Sequence, residues 1–267
     1  MLSIIYPYRN RDLDRLKRSL DSLQDQTESK FEVFFVDYGS TPAVAKEVWE
    51  ICGAYSFVDY RYFPTQFQPW NKSRALNAVI KNLKAKFCFV ADVDMIFHPE
   101  FIKEAISLQQ NEKTVYFQVG FLSNKDDPDK ITLEKFESYR KSTAEATGLS
   151  MFPVKILKEL RGFDEFYHFW GAEDTDMHVR IKNAGYEVEY YDEQVLLLHQ
   201  WHTSYRTAEK NVLTKELQLK GIVQLNHQHL KNAILNKTTS VNPNGWGSPM
   251  TSEELEQLEN PDRVLSV

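Results

Sequence analysis

Short apolar runs that alternate with helical periodicity constrain this chain more than any other feature. LSIIY (2–6), FEVFFVD (31–37), FVDYRYF (57–63) and KFCFVAD (86–92) have strand length and are rich in β-branched and aromatic residues. Between them lie Leu13, Leu16, Leu20 and Leu23 at helical spacing, then VAKEVWEI (44–51) and RALNAVIKNLK (74–84), which also read as helices. That alternation predicts βαβ units, hence an α/β fold with a mostly parallel central sheet and helices on both faces. In such sheets ligands bind beyond the carboxyl ends of the strands. The polar residues ending the runs therefore matter most: YPYRNR (6–11), DYGS (37–40) and DVD (92–94).

Beyond residue 113 the pattern loosens. TVYFQVGFL (114–122) reads as one strand, SNKDDPDK (123–130) as a polar loop and PVKILKEL (153–160) as a short helix. EVEYYDE (187–193) and VLLLHQWH (195–202) are strand-like, and 207–235 is helical and polar. The last stretch, with NPNGWGSP (242–249) and an acidic end, reads either as partly disordered or as a clasp over the body. The expected organisation is one domain over 1–206, with a first half (1–98) and a second half (99–206), followed by a C-terminal helical extension and tail (207–267).

Composition removes several classes. A net charge of −6 and a pI near 5.7 argue against a sequence-independent nucleic-acid binder. Cys52 and Cys88, without CxxC spacing, make neither a zinc knuckle nor a disulfide scaffold, which suits a reducing, cytoplasmic setting. No run approaches the roughly 18 apolar residues of a membrane span, and a strand-like run begins at the second residue, so no secretion signal is expected. The polar helical extension leaves room for peripheral contact with a membrane face without demanding it.

Three constellations carry chemistry. In DVD, residues two apart on a strand end face one way, so Asp92 and Asp94 can address one hard cation such as Mn²⁺ or Mg²⁺. His199 and His202 follow an apolar strand toward the same edge and could add a nitrogen ligand, both together only if the chain bends after Leu198. In HFWGAEDTDMHVRIKNAG (168–185), Met177, Ile181 and Ala184 define a buried helical stripe. Asp174 lies on that stripe and Glu173 flanks it, an expensive place for unpaired charge, and one where a carboxylate can accept a proton from a bound hydroxyl. Helix capping is the competing explanation. Asp176 sits four residues before Arg180 on the expected outer face, where an ion pair contributes about 0.3–0.5 kcal/mol.

Taken together and in order, YPYRNR, DYGS, NKSRALN (71–77), DVD, GFDEFYHFWGAED (162–174) and HQWH (199–202) resemble the metal-dependent glycosyltransferases of the GT-A fold. The nearest groups are the family 2 enzymes, the β-1,4-galactosyltransferases and the bacterial chondroitin-type polymerases. The resemblance implies that Pro7, Tyr8, Arg9 and Asp37 embrace a nucleotide, usually uridine, and that Arg74 lies near ribose and diphosphate. It implies Asp94 as a direct Mn²⁺ ligand, with Asp92 nearer the ribose and metal shell, and His202 or His199 completing the metal site. On the acceptor side it implies that Trp170, after which Gly171 follows, stacks on a sugar, that Glu173 holds hydroxyls, and that Asp174 is the base.

The implied activity is inverting transfer of a hexose or N-acetylhexosamine from a UDP-sugar to a glycan or lipid-linked glycan hydroxyl, as in bacterial surface polysaccharide synthesis. Related retaining enzymes tend to carry Asn at the position of Asp174, and the family's usual second Gly is Ala172 here. Two rivals remain: a nucleotidyltransferase, which would carry a Gly-rich basic loop that YPYRNR is not, and an inactive sugar-nucleotide or glycan-binding module, against which Asp94 and Asp174 both stand. An EF-hand-like calcium protein is excluded because the acidic residues are scattered rather than gathered in one twelve-residue loop.

Overall fold

The computed structural model describes residues 1–203 and 216–260. In chain order the first half runs β1 (Leu2–Tyr8), α1 (Leu13–Gln24), β2 (Phe31–Tyr38), α2 (Pro42–Cys52), β3 (Val58–Phe63), α3 (Lys72–Ile80) and β4 (Phe87–Val90). It continues with β5 (Met95–Phe97), α4 (Phe101–Ser107), β6 (Lys113–Phe117), β7 (Val119–Phe121), β8 (Arg140–Lys141), β9 (Ser150–Pro153) and α5 (Val154–Glu159). Then come α6 (Glu173–Asn183), β10 (Glu187–Tyr191), β11 (Leu197–His199), α7 (Glu216–Leu235) and α8 (Ser252–Glu259).

Seven strands form the central sheet in the order β10-β6-β9-β4-β1-β2-β3. All are parallel except β9, which runs antiparallel to both β4 and β6. The reason lies in β1, whose seven residues are all buried. Leu2, Ile4, Tyr6 and Tyr8 face the helices α1, α2 and α4, whereas Ile5 faces α3, α5 and α6. Period-two side chains buried on both faces need a helical layer on each side. Truncating a fully buried residue such as Ile5 to Ala costs about 2–5 kcal/mol.

Four short strands make a second sheet in the order β5-β11-β7-β8. Here the structure departs from the expectation of one strand over 114–122. The run breaks at Gln118, with β6 in the large sheet and β7 in the small one. Both flanking segments are buried, so apolarity alone gives no sign of the change of sheet.

A second correction concerns Asp176 and Arg180, expected on the outer face of α6. Both are fully buried, joined Nε to Oδ2 at 2.7 Å. The cause is a second layer over that face. Arg180 also donates to the carbonyl oxygens of Gly162 (3.0 Å), Thr239 (3.3 Å) and Leu160 (3.4 Å), and Asn183 to that of Thr238 (2.8 Å). The 242–247 segment closes down in the same way: the Asn242 side chain donates to Arg161 O and Phe163 O, and Gly247 N to Glu165 Oε1. It is a clasp. The helix expected over 207–235 is seen as α7 from Glu216, its first residues falling outside those described. No helix among the described residues is long and apolar enough to cross a membrane.

Candidate active site

A cavity of about 690 Å³ opens where β1 and β4 end, lined by Pro7, Arg9, Arg11, Trp70, Lys72, Asp92, Asp94, Phe121, Trp170, Glu173, Asp174, His199 and His202. DVD lies in the turn after β4, between the two sheets. Antiparallel pairing of β5 with β11 sets Met95 against His199, and Gln200 N donates to Asp94 O at 3.0 Å. Because β11 ends at His199, the chain turns and brings His202 back. His202 Nε2 stands 3.1 Å and His199 Nε2 3.7 Å from Asp94 Oδ2. Both histidines therefore reach one carboxylate, the arrangement that needed a bend after Leu198.

Asp94, His199 and His202 form a group whose ligand atoms lie within 4.8 Å of one another. The other Asp94 oxygen, Oδ1, is buried and makes no hydrogen bond among the described residues. Burial pushes the Asp94 carboxyl up, but the His202 hydrogen bond and the adjacent His199 hold it below the usual carboxylate range. The same hydrogen bond raises His202. A carboxylate with two imidazoles and a spare buried oxygen fits a divalent transition ion, which would displace the imidazole protons.

Across the cavity, α6 begins after Ala172, whose φ is 77° and which provides no side-chain cap. Glu173 and Asp174 do not cap the helix either. They turn toward Lys72, the first residue of α3, whose own start is fixed by Asn71: its Oδ1 accepts from Arg74 N (2.8 Å) and its Nδ2 donates to Glu165 O (2.8 Å). Lys72 Nζ lies 3.2 Å from Asp174 Oδ2, 3.5 Å from Asp92 Oδ1 and 3.7 Å from Glu173 Oε1. Burial pushes the Asp174 carboxyl up to about 8, Lys72 opposes the rise, and Glu173 and Asp92 add to it. Its three carboxylate neighbours outweigh burial at Lys72, which stays charged.

Lys72 was not singled out from sequence, although it sits two residues before Arg74. Arg74 does not line the cavity; its Nε donates to Glu165 Oε2 at 3.0 Å. Asp92, expected near the metal shell, faces Lys72 and is not in the histidine group. Tyr8 and Asp37 are fully buried behind the wall: Tyr8 donates to Arg11 O, and Asp37 accepts from Ser40 N and the Tyr60 hydroxyl. Arg9 lines the cavity but spends its guanidinium on the carbonyls of Gly39, Thr65 and Gln68. That closure demands Gly39, where φ is 85° and a Cβ would come within 2.5 Å of the Thr65 backbone.

A family model described as Glycosyl transferase family 2 matches residues 3–168. The chain belongs to glycosyl transferase family 2. The family 2 match takes in Pro7, Lys72, Asp92 and Asp94 and stops short of Trp170, Glu173, Asp174 and the two histidines. No curated protein matches the sequence.

Solved structures share the fold at low identity. TarS of S. aureus, in complex with UDP-GlcNAc, is 15% identical with a TM-score of 0.55, over 88% of this chain and 72% of that one. GalNAc-T7 with UDP, GalNAc and Mn²⁺ is 14% identical with a TM-score of 0.62, over 88% and 50%. The mannosyltransferase PcManGT of Pyrobaculum calidifontis, with GDP-Man and Mn²⁺, is 14% identical with a TM-score of 0.54, over 98% and 76%. The architecture is the GT-A fold, and the family 2 chain is a sugar-transferring enzyme.

Proposed function

We propose that this enzyme is a divalent-metal-dependent, inverting glycosyltransferase that moves a hexosyl or N-acetylhexosaminyl unit from a UDP-sugar to a glycan hydroxyl, in bacterial surface polysaccharide synthesis. The reading is carried by one observation: Asp94 with its two histidines and Asp174 with Glu173 line the same cavity. TarS binds UDP-GlcNAc, and GalNAc-T7 binds UDP with Mn²⁺, on the same fold, which supports the donor and the ion.

In this scheme Pro7 and Arg9 shape the nucleotide end, with Tyr8 and Asp37 bracing them from behind. Trp170 offers its ring to the acceptor sugar and Glu173 holds its hydroxyls. Asp174 takes the proton of the attacking hydroxyl as the new bond forms at the anomeric carbon, opposite the departing diphosphate. That single displacement inverts the centre. Lys72 keeps Asp174 ionisable and puts a fixed positive charge beside the diphosphate path, the place first assigned to Arg74. Mn²⁺ or Mg²⁺ held by Asp94, His199 and His202, with Asp92 nearby, would neutralise charge on the leaving group.

Calorimetric titration of UDP into the protein with Mn²⁺, then with EDTA, tests this, with GDP as the control. Binding of UDP that EDTA abolishes, and that Asp94→Ala weakens, is expected. Preference for GDP would overturn the donor assignment, and metal-independent UDP binding would overturn the ion site.

A further inference from the structure

Helix α7 lies outside the family match, yet it grips the loop that carries Trp170. That loop turns left-handed at Phe169 (φ 61°), Gly171 (φ 100°) and Ala172 (φ 77°). Non-glycine residues hold such angles only when their surroundings impose them. Phe169 N donates to Trp70 O at 2.9 Å, and the carbonyls on either side are held by one side chain. Asn226 of α7, 1% exposed, donates from Nδ2 to His168 O at 3.0 Å and to Trp170 O at 3.2 Å. Its two amide hydrogens are thus matched to the carbonyls on either side of Phe169.

The neighbouring turn of α7 holds the start of the same segment. His229 Nε2 lies 2.8 Å from Asp164 Oδ2, and the His229 ring stacks on Phe166 with centroids 3.9 Å apart. Between the two grips, His227 Cε1 stands 3.5 Å from where a Cβ on Gly171 would be.

We infer that Asn226 is a positioning residue for the acceptor side of the site: its carboxamide fixes the turn that presents Trp170 and starts α6 at Glu173. This rests on the proposed function. Donor binding uses the opposite wall of the cavity and does not depend on it. An Asp at this place would set a carboxylate oxygen, where Nδ2 now donates, against both carbonyls, and an Ala would remove both donated bonds.

The test compares wild type with Asn226→Asp, Asn226→Ala and Asn226→Gln, by UDP–Mn²⁺ titration, acceptor kinetics and backbone amide exchange over 168–173. Asp and Ala should raise acceptor KM about tenfold, equivalent to roughly 1.4 kcal/mol, and speed exchange in that segment, with UDP affinity unchanged. Gln, which keeps the carboxamide, should recover part of the loss. The isosteric Asp variant decides the matter if the Ala variant fails to fold. Equal losses in UDP affinity and acceptor KM would mean a general structural role and overturn the inference. So would unchanged exchange over 168–173 in variants of a wild type that does transfer sugar. A wild type that neither binds UDP nor transfers sugar overturns the proposed function, and the acceptor role with it.

Discussion

Lys72 Nζ and Asp174 Oδ2 stand 3.2 Å apart, and this contact ties the first turn of α3 to the first turn of α6. One ammonium thereby serves carboxylates from both sides of the cavity, since Asp92 follows β4 and Glu173 and Asp174 open α6. The arrangement sets one positive charge among three acids.

If Asp174 is the base, Asp174→Asn should lower the transfer rate by about 10²–10⁴-fold, the usual worth of a positioned proton acceptor. UDP affinity should hold, because the amide keeps the shape and the metal group is untouched. Parallel turnover and calorimetry on the variant check this; a normal transfer rate would remove Asp174 from the role.

The pH dependence follows from the same pair. Asp174 must be ionised to accept a proton, and burial holds its carboxyl at about 8. Transfer, as kcat/KM, should therefore climb between pH 6 and about 8 and level off above. Lys72 opposes the upward shift, so Lys72→Met should move the rising limb to higher pH. A profile unmoved by Lys72→Met would break the link between the two residues.

Stability should depend on pH through His178, which sits one turn beyond Asp174 on α6 and does not line the cavity. Burial lowers it to about 3 from an ordinary 6.5, and its Nε2 lies 2.9 Å from Ser150 Oγ. The unfolded chain takes up a proton below 6.5 that the folded chain refuses until about 3. Its contribution is thus complete above 6.5 and falls by up to about 1.4 kcal/mol per pH unit below it. The stability of wild type relative to His178→Asn, read from urea midpoints, should fall between pH 7.5 and 5; the comparison sets aside the opposite contribution of Asp174, which both chains share.

The parallel half of the fold was legible because β1 and β4, buried throughout, read as nearly unbroken apolar runs, while β2 and the edge strand β3 stand out by their aromatic and β-branched residues. The bend that brings His202 to Asp94 was legible as a condition, not as a fact. Three things were not. Gln118 divides β6 from β7, and a single polar residue between VYF and VGF does not announce a change of sheet. Arg180 looked solvent-facing because helical spacing reports one buried stripe, while 238–242 supplies a second wall from far along the chain. Lys72 was passed over because lysines on helix starts are common and only the fold brings α6 opposite. A readable signal did go unused: Thr251 and Glu254 form a capping box that starts α8.

The Asp176–Arg180 pair should behave as a buried one. Arg180→Met alone leaves a charged Asp176 in the interior and should cost about 3–5 kcal/mol, several times the value for an exposed pair. Asp176→Leu combined with Arg180→Met should recover part of that loss, with the unpaired carbonyls of Gly162, Leu160 and Thr239 limiting the recovery. Denaturant unfolding of both variants distinguishes this from a surface pair, for which either change would be nearly silent.

The ladder that sets Met95 against His199 also limits how chains of this kind can vary in length. Slipping β11 by one residue would swing the His199 imidazole to the other face of the small sheet and away from Asp94. Between Asp94 and Phe97, and again between Leu197 and His202, single insertions or deletions are therefore forbidden by geometry. The polar 123–130 stretch between β7 and β8 carries no such restriction. Length differences among related chains should collect there, leaving the two short strands that frame the histidines uniform.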